Sequence, residues 1–356
     1  MSLEVLWFCL ICVLWTGYLV LEGFDFGVGM LSPFLARRDE EGRKTVMDTI
    51  GPIWDGNEVW LIVAGGATFA AFPQWYATMF SGFYLALLVI LVLLIMRVVS
   101  FEWRDKSDST RWRSFWSWAN FGCSALLPVL WGVGLSNLLA GVPIDGDGEF
   151  AGNFWSLFSP YTVFAGVAVA LLCLTHGATF LSLRLDGELR DRAHAFASRF
   201  VPLSAVAAAA LLAWTVVVGA DVNGRDLFPG IVPALIGGLA ASASVPLIRA
   251  RREGWAFVAT AVTIGAWVVT LFTEMYPRVM VSSSDFVNSL SIEDAASSHY
   301  TLTVMTVVAA VLTPVVLLYQ GWTYHVFKAR LGLTERVGSP IDLLAKPDSE
   351  PTQSTE

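Results

Sequence analysis

The chain of 356 residues is 55% hydrophobic and 15% charged, holds 15 Trp and 23 Phe, and has a mean hydropathy of +0.62 with a formal net charge of −8. This balance excludes an ordinary soluble domain, and nothing in it asks for a nucleic-acid partner. Nine apolar stretches are each long enough to cross a bilayer, so the sequence predicts an all-α polytopic membrane protein with nine transmembrane helices.

The predicted helices lie at about 5–35, 50–72, 78–99, 115–139, 160–183, 200–220, 229–249, 254–276 and 302–327. They form a single membrane domain, 1–331, and residues 332–356 read as a disordered cytoplasmic tail. Basic residues set the orientation. Alternate loops, counted with the flanking helix ends, hold 20 of the 22 Lys and Arg, and only Arg225 and Arg278 fall on the other side. The N-terminus is therefore expected outside and the C-terminus in the cytoplasm. Met1 to Glu4 carries no basic residue and no small-residue cleavage site follows, so the first helix is expected to be retained rather than removed as a signal peptide.

The first two helices carry the anomaly. Glu22 and Asp25 lie three residues apart in the first, Asp55 and Glu58 three apart in the second, and positions i and i+3 share a helical face. Asp25 precedes Arg37 by 12 residues and Asp55 follows Lys44 by 11. At 1.5 Å per residue both acids sit roughly 16–18 Å from the charged link, so antiparallel neighbours would bring Asp25 and Asp55 together. A carboxylate at the bilayer centre costs about 2.5–3.5 kcal/mol. Such groups persist only where they face protein, a water-filled path or a partner. Gly23-x-x-x-Gly27 followed by Gly29 permits the close helix approach this requires. Trp54 and Asn57 crowd further polar and aromatic groups into the turn of Asp55 and Glu58, and Pro52 falls in the first turns of that helix.

Farther along, Arg97 near the inner end of the third helix is expected to snorkel to the interface rather than act as a counter-ion to Asp25 or Asp55. Gly141 to Glu149, with Asp145 and Asp147, resembles a calcium loop but lacks its twelve-residue pattern and reads as a solvated turn. His176 could ligate haem, yet no second candidate lies at its depth, and it reads as a hydrogen-bonded interior histidine. Cys9, Cys12, Cys123 and Cys173 all fall in apolar spans and read as packing residues. The long loop from Pro277 to Tyr300 is placed to cap the outer face.

These residues resemble subunit II of cytochrome bd-type quinol oxidases. Gly23-Phe-Asp25-Phe-Gly-Val-Gly-Met-Leu31 is similar to the family's first-helix signature, and Trp54-Asp55-Gly-Asn57-Glu-Val-Trp60 with Phe69-Ala-Ala-Phe-Pro73 to its second. Ser81-Gly-Phe-Tyr84, Thr110-Arg-Trp-Arg113, Gly132-x-Gly134-x-x-Asn137, Gly177-Ala-Thr179 and Thr301-Leu-Thr-Val-Met305 extend the likeness over nearly the whole chain. The resemblance implies two four-helix bundles plus one peripheral helix, in a heterodimer that oxidises quinol and reduces oxygen to water. It puts the ligands of haem b and haem d, and the quinol-oxidation site, on subunit I. It gives subunit II a proton path from the cytoplasm, with Asp25 and Asp55 at the path positions and Glu22 and Glu58 beside them. It lowers the haem-ligand reading of His176. It also allows a structural quinone and a small accessory subunit, which no motif here places, besides membrane lipid.

Two rivals accompany this reading. Intramembrane acids and glycine-broken helices also suit a proton-coupled secondary transporter. Alternatively, the four acids are merely hydrogen-bonded at a partner interface.

Overall fold

The computed structural model describes residues 2–36, 39–224 and 227–332. The expected tail, apart from Gly332, therefore lies outside the described residues, as do Arg37, Arg38, Arg225, Arg336 and Lys346 of the charge count. Eleven α-helices follow one another among the described residues: α1 Leu3–Leu35, α2 Glu40–Asp48, α3 Trp54–Ala71, α4 Pro73–Gly82, α5 Tyr84–Trp103, α6 Thr110–Ala140, α7 Pro160–Arg184, α8 Gly187–Asn223, α9 Ile231–Arg249, α10 Glu253–Met275 and α11 His299–Val326. Eight of them (α1 and α5 to α11) are long and apolar enough to cross a membrane. The 18 residues of α3 would span about 27 Å, but Asp55, Asn57 and Glu58 near its start lower its apolarity.

Local chemistry explains the boundaries. Ser2, Ser109 and Ser159 cap α1, α6 and α7 through their side chains, Ser159 within a capping box followed by Pro160. Gly224 closes α8 in the left-handed region. The second predicted helix, 50–72, is not continuous from its start: α2 ends at Asp48, and α3 begins only at Trp54. Pro52 lacks a backbone donor and disfavours helical geometry at Gly51, which breaks the helix there. The third prediction, 78–99, likewise resolves into α4 and α5, parted at Phe83. The sixth, 200–220, extends back to Gly187, because a buried stripe of Leu189, Ala193, Ala197 and Val201 carries an amphipathic helix beyond the apolar span.

Helix α1 is the central element. It packs on α3, α6, α7 and α10, while α7 to α10 pack on one another and α5 lies against α6. Glycines set the closest approach: a Cβ on Gly27 would fall on Gly177 and on the Cys173 carbonyl, and one on Gly132 would meet Gly166. At the end remote from the α1–α2 link, the segment from Pro277 forms a small antiparallel hairpin, Arg278–Met280 with Leu290–Ser291. It lies over α6 and α3, with Val281 N donating to Leu138 O (3.0 Å) and Ser297 N to Ala71 O (2.8 Å). The capping role expected of this loop matches that placement. Asp145 Oδ1 accepts from the Asp147 and Glu149 amides at 3.0 and 2.9 Å, a turn closed on itself. At the opposite, near end, the segment after α11 is tied to α7 and α8 by Leu331 N to Arg184 O (2.7 Å) and Asp186 N to Leu331 O (3.0 Å).

Helix α11 stands apart, with Leu302 its only buried residue. One face of α3 is also open, through Asp55, Gly56, Val59, Ile62, Val63, Gly66 and Phe69.

Candidate functional site

Four helices converge on one buried polar cluster. Helix α1 supplies Glu22 and Asp25, α3 supplies Asn57 and Glu58, α5 supplies Arg97 and α11 supplies Tyr324. Glu22, Asp25, Asn57 and Arg97 are all fully buried. Arg97 Nη1 donates to Glu22 Oε1 and to Glu58 Oε1, the latter at 3.2 Å. Its guanidinium also lies over the rings of Phe26 and Phe101, 5.0 and 5.2 Å from their centroids. Arg97 therefore does not snorkel to the interface as expected, nor does it bond Asp25 or Asp55. A buried arginine is retained when carboxylates and aromatic faces compensate its lost hydration, and Glu22 with Phe26, one turn apart on α1, provide both.

Asp25 is held differently. Asn57 Nδ2 donates to Asp25 Oδ2 at 2.8 Å, and Tyr324 Oη donates to Asn57 Oδ1 at 2.7 Å. Among the described residues, Asp25 Oδ1, Glu22 Oε2, Arg97 Nε and Nη2 and the Tyr18 hydroxyl make no hydrogen bond.

Asp55 does not join it. The expectation that Asp25 and Asp55 meet is corrected: Asn57 faces Asp25, and Asp55 is exposed. Successive residues turn by about 100°, so residues 55 and 57 point roughly 160° apart, and only one of them can face α1. Glu58 lies between the two directions, its side chain 20% exposed, and turns to Arg97. The expected depth of Asp55 also assumed an unbroken helix from Lys44, which the break at Thr49–Ile53 removes. Trp54 packs edge-on against Phe101 at 5.6 Å between centroids.

A polar cavity of about 180 Å³ opens at the near end, lined among others by Ser32 of α1, Lys44 and Asp48 of α2, Trp54 of α3, Ser100 of α5 and Asn120 of α6. Ser32 lies two helical turns from Asp25. Ser100 is one turn beyond Arg97 and donates to the Arg97 carbonyl at 2.5 Å. Burial pushes the Asp48 carboxyl above the ordinary carboxylate value, against the pull of Lys44. The cavity thus brings polar surface from the near-end loops to the foot of the cluster.

His176 is ill-suited to a haem iron. Its Nδ1 pairs with Thr260 Oγ1 at 2.7 Å and its Nε2 with Val20 O at 3.1 Å, while its ring stacks on Phe257. Both nitrogens are engaged, and the interior-histidine reading holds. Among the described residues no group of three or more His, Cys, Asp or Glu could hold a metal. The four cysteines are all free, and Cys123 and Cys173 are buried.

Sequence reasoning missed Arg97 as the centre of the cluster, and missed Tyr324 altogether. Arg97 gave one signal, its place six residues inside the end of an apolar helix. Tyr324 gave none that separates it from an interfacial aromatic residue.

Residues 3–327 match the family described as cytochrome bd terminal oxidase subunit II. Cytochrome bd ubiquinol oxidase subunit 2 of Bacillus subtilis (strain 168) is 39% identical over 334 residues, covering 94% of this chain and 98% of its own length. Cytochrome bd-I ubiquinol oxidase subunit 2 of Escherichia coli (strain K12) is 40% identical over 354 residues, covering 90% of this chain and 93% of its own. A chain of the bd oxidase structure from Geobacillus thermodenitrificans shares the fold, with a TM-score of 0.70 at 19% identity, over 92% of this chain and 97% of that one.

Proposed function

The chain belongs to the cytochrome bd terminal oxidase subunit II family, and from that membership we propose that it gives protons a route from the cytoplasm towards the oxygen-reducing centre of its partner. As a subunit of a quinol:oxygen oxidoreductase it is a multi-pass protein of the prokaryotic cell membrane, and the transporter reading gives way to that identity. Reduction of one oxygen molecule to two waters consumes four protons. Protons cross a low-dielectric interior along titratable groups and ordered water.

The observation that carries the reading is the buried cluster of Glu22, Asp25, Glu58, Arg97 and Asn57 standing above the near-end cavity. Ser32 and Ser100 join the two. The bias of basic residues makes the near end cytoplasmic, with α3 as a ninth crossing, α1, α3, α5 and α6 as one four-helix bundle, α7 to α10 as the other, and α11 peripheral. Asp55 belongs to the same route from the other face of α3. A carboxylate exposed on a membrane-crossing helix is too costly against lipid, so this face, with its open glycines, meets the haem-bearing subunit I. Asp55 then passes protons across the subunit boundary. The family resemblance assigns haem b and haem d chemistry, oxygen reduction driven by quinol, to that partner, and His176, with both ring nitrogens hydrogen-bonded, fits that assignment. Uptake from the cytoplasm, with quinol protons released outside, suffices to build a voltage without pumping.

The test is oxygen consumption by the purified complex carrying Asp25→Asn or Asp55→Asn. Each variant should assemble, keep its haem absorption and turn over at least tenfold more slowly, since proton-transfer groups contribute about 10²–10⁴-fold. Wild-type turnover in the assembled double variant would refute the route, and loss of haem would favour a packing role for these acids.

A further inference from the structure

We infer that Tyr324 is a positioning residue for Asp25, acting through Asn57, and that α11 thereby takes part in the proton route; the inference rests on the route proposed above. A side-chain amide has one acceptor end and one donor end, and its neighbours decide which way it faces. The Tyr324 hydroxyl donates to Asn57 Oδ1 at 2.7 Å, which leaves Nδ2 to donate to Asp25 Oδ2 at 2.8 Å.

This orientation selects an oxygen. While Asp25 Oδ2 accepts from Asn57, an exchangeable proton on Asp25 is carried by Oδ1, the oxygen with no partner among the described residues. Without the Tyr324 hydroxyl the amide is held only by its bond to Asp25, and it can turn over once that acid is protonated. Its Oδ1 would then accept from a proton on Asp25 Oδ2, and that bond would hold the proton on Oδ2 rather than leave it exchangeable. Tyr324 thus keeps the acid in its transferring form without itself carrying a proton onward.

The hydroxyl is not needed to dock the helix. Trp7 Nε1 donates to Thr306 Oγ1 at 3.0 Å near the far end of α11, Trp60 Nε1 to Gln320 Oε1 at 3.0 Å one turn before Tyr324, and Leu331, after α11, is tied to Arg184. Removing one oxygen atom from Tyr324 leaves all three anchors in place.

The experiment compares Tyr324→Phe, Asp25→Asn and the double variant in the purified two-subunit complex. It reads haem content, quinol-driven oxygen consumption, its solvent deuterium isotope effect, and the infrared carbonyl band of protonated Asp25, identified by its loss in Asp25→Asn. Tyr324→Phe should retain full haem, slow turnover by about three- to tenfold, as loss of one orienting hydrogen bond would, raise the isotope effect and shift the Asp25 band. The double variant should be no slower than Asp25→Asn alone. Unchanged turnover, an unshifted band, loss of haem in Tyr324→Phe, or two losses that multiply in the double variant would each overturn the inference. If Asp25→Asn is slow but Tyr324→Phe is not, only this inference falls. If Asp25→Asn itself turns over normally, the route falls with it.

Discussion

At the scale of single residues the cluster is organised by one cation. Arg97 bonds Glu22 and Glu58 and lies against Phe26 and Phe101. Removing one partner of a buried ion pair costs about 3–5 kcal/mol, because the charge left behind has lost its hydration. Arg97→Met should therefore lower the thermal stability of the complex sharply, and adding Glu22→Gln should recover much of it. Melting of the three proteins in detergent checks this: no gain from the second substitution would mean that Glu22 does not depend on Arg97. Glu58 is partly exposed and shares Arg97 with Glu22, so Glu58→Gln should cost far less than Arg97→Met in the same assay.

The four acids were legible as an anomaly in the sequence, because acids are rare in spans. Their division into Glu22, Asp25 and Glu58 within and Asp55 without was not. A spacing of three says that two side chains share a face, but not which of them turns to the neighbouring helix, and Asn57, two residues from Asp55, took that position.

At the scale of elements, glycine contacts and helix breaks place the cluster. Gly27 and Gly177 let α1 and α7 cross in contact, with no room for a Cβ on either. Gly177→Val should force them apart. Overpacking of this kind costs about 1–3 kcal/mol or more, and lost haem absorption in isolated membranes would report the failed assembly. Normal haem content at normal expression would mean that the crossing can yield. Gly238, on α9 with nothing within 4 Å in this chain, supplies the control, since alanine there leaves the fold of the chain untouched.

The breaks at Thr49–Ile53 and Phe83 were only half legible. Pro52 was visible, but whether a proline sits inside a helix or between two depends on how the flanking residues pack, and Ile50 and Ile53 are buried here; no proline marks Phe83. Of the helices beside these breaks, α3, α4 and α5 overlap the predicted spans, because apolar runs report the span more reliably than its ends, whereas α2 falls on the stretch read as a charged link. Tyr324 escaped because its partner, Asn57, lies 267 residues away in the chain.

At the scale of the whole molecule, the exposed face of α3 is the proposed boundary with the haem-bearing partner. Val59, Ile62, Val63 and Phe69 are open beside Asp55, and Asp55 has no business in lipid. Ile62→Cys should cross-link to the haem-bearing partner in membranes, whereas a cysteine at Leu239, exposed on α9 in the other helix group, should not. Cross-linking from Leu239 alone would put the partner on the opposite side and strand Asp55.

The central claim is that cytoplasmic protons reach the oxidase centre through the cluster around Asp25. The most direct measurement is proton uptake by the complex reconstituted in vesicles, followed with a pH indicator on the near-end side during a single turnover with oxygen. Alkalinisation there should keep pace with oxygen reduction in the wild type, and should slow together with it in haem-replete Asp25→Asn. Uptake at the wild-type rate in that variant, or uptake from the other side, would contradict the account.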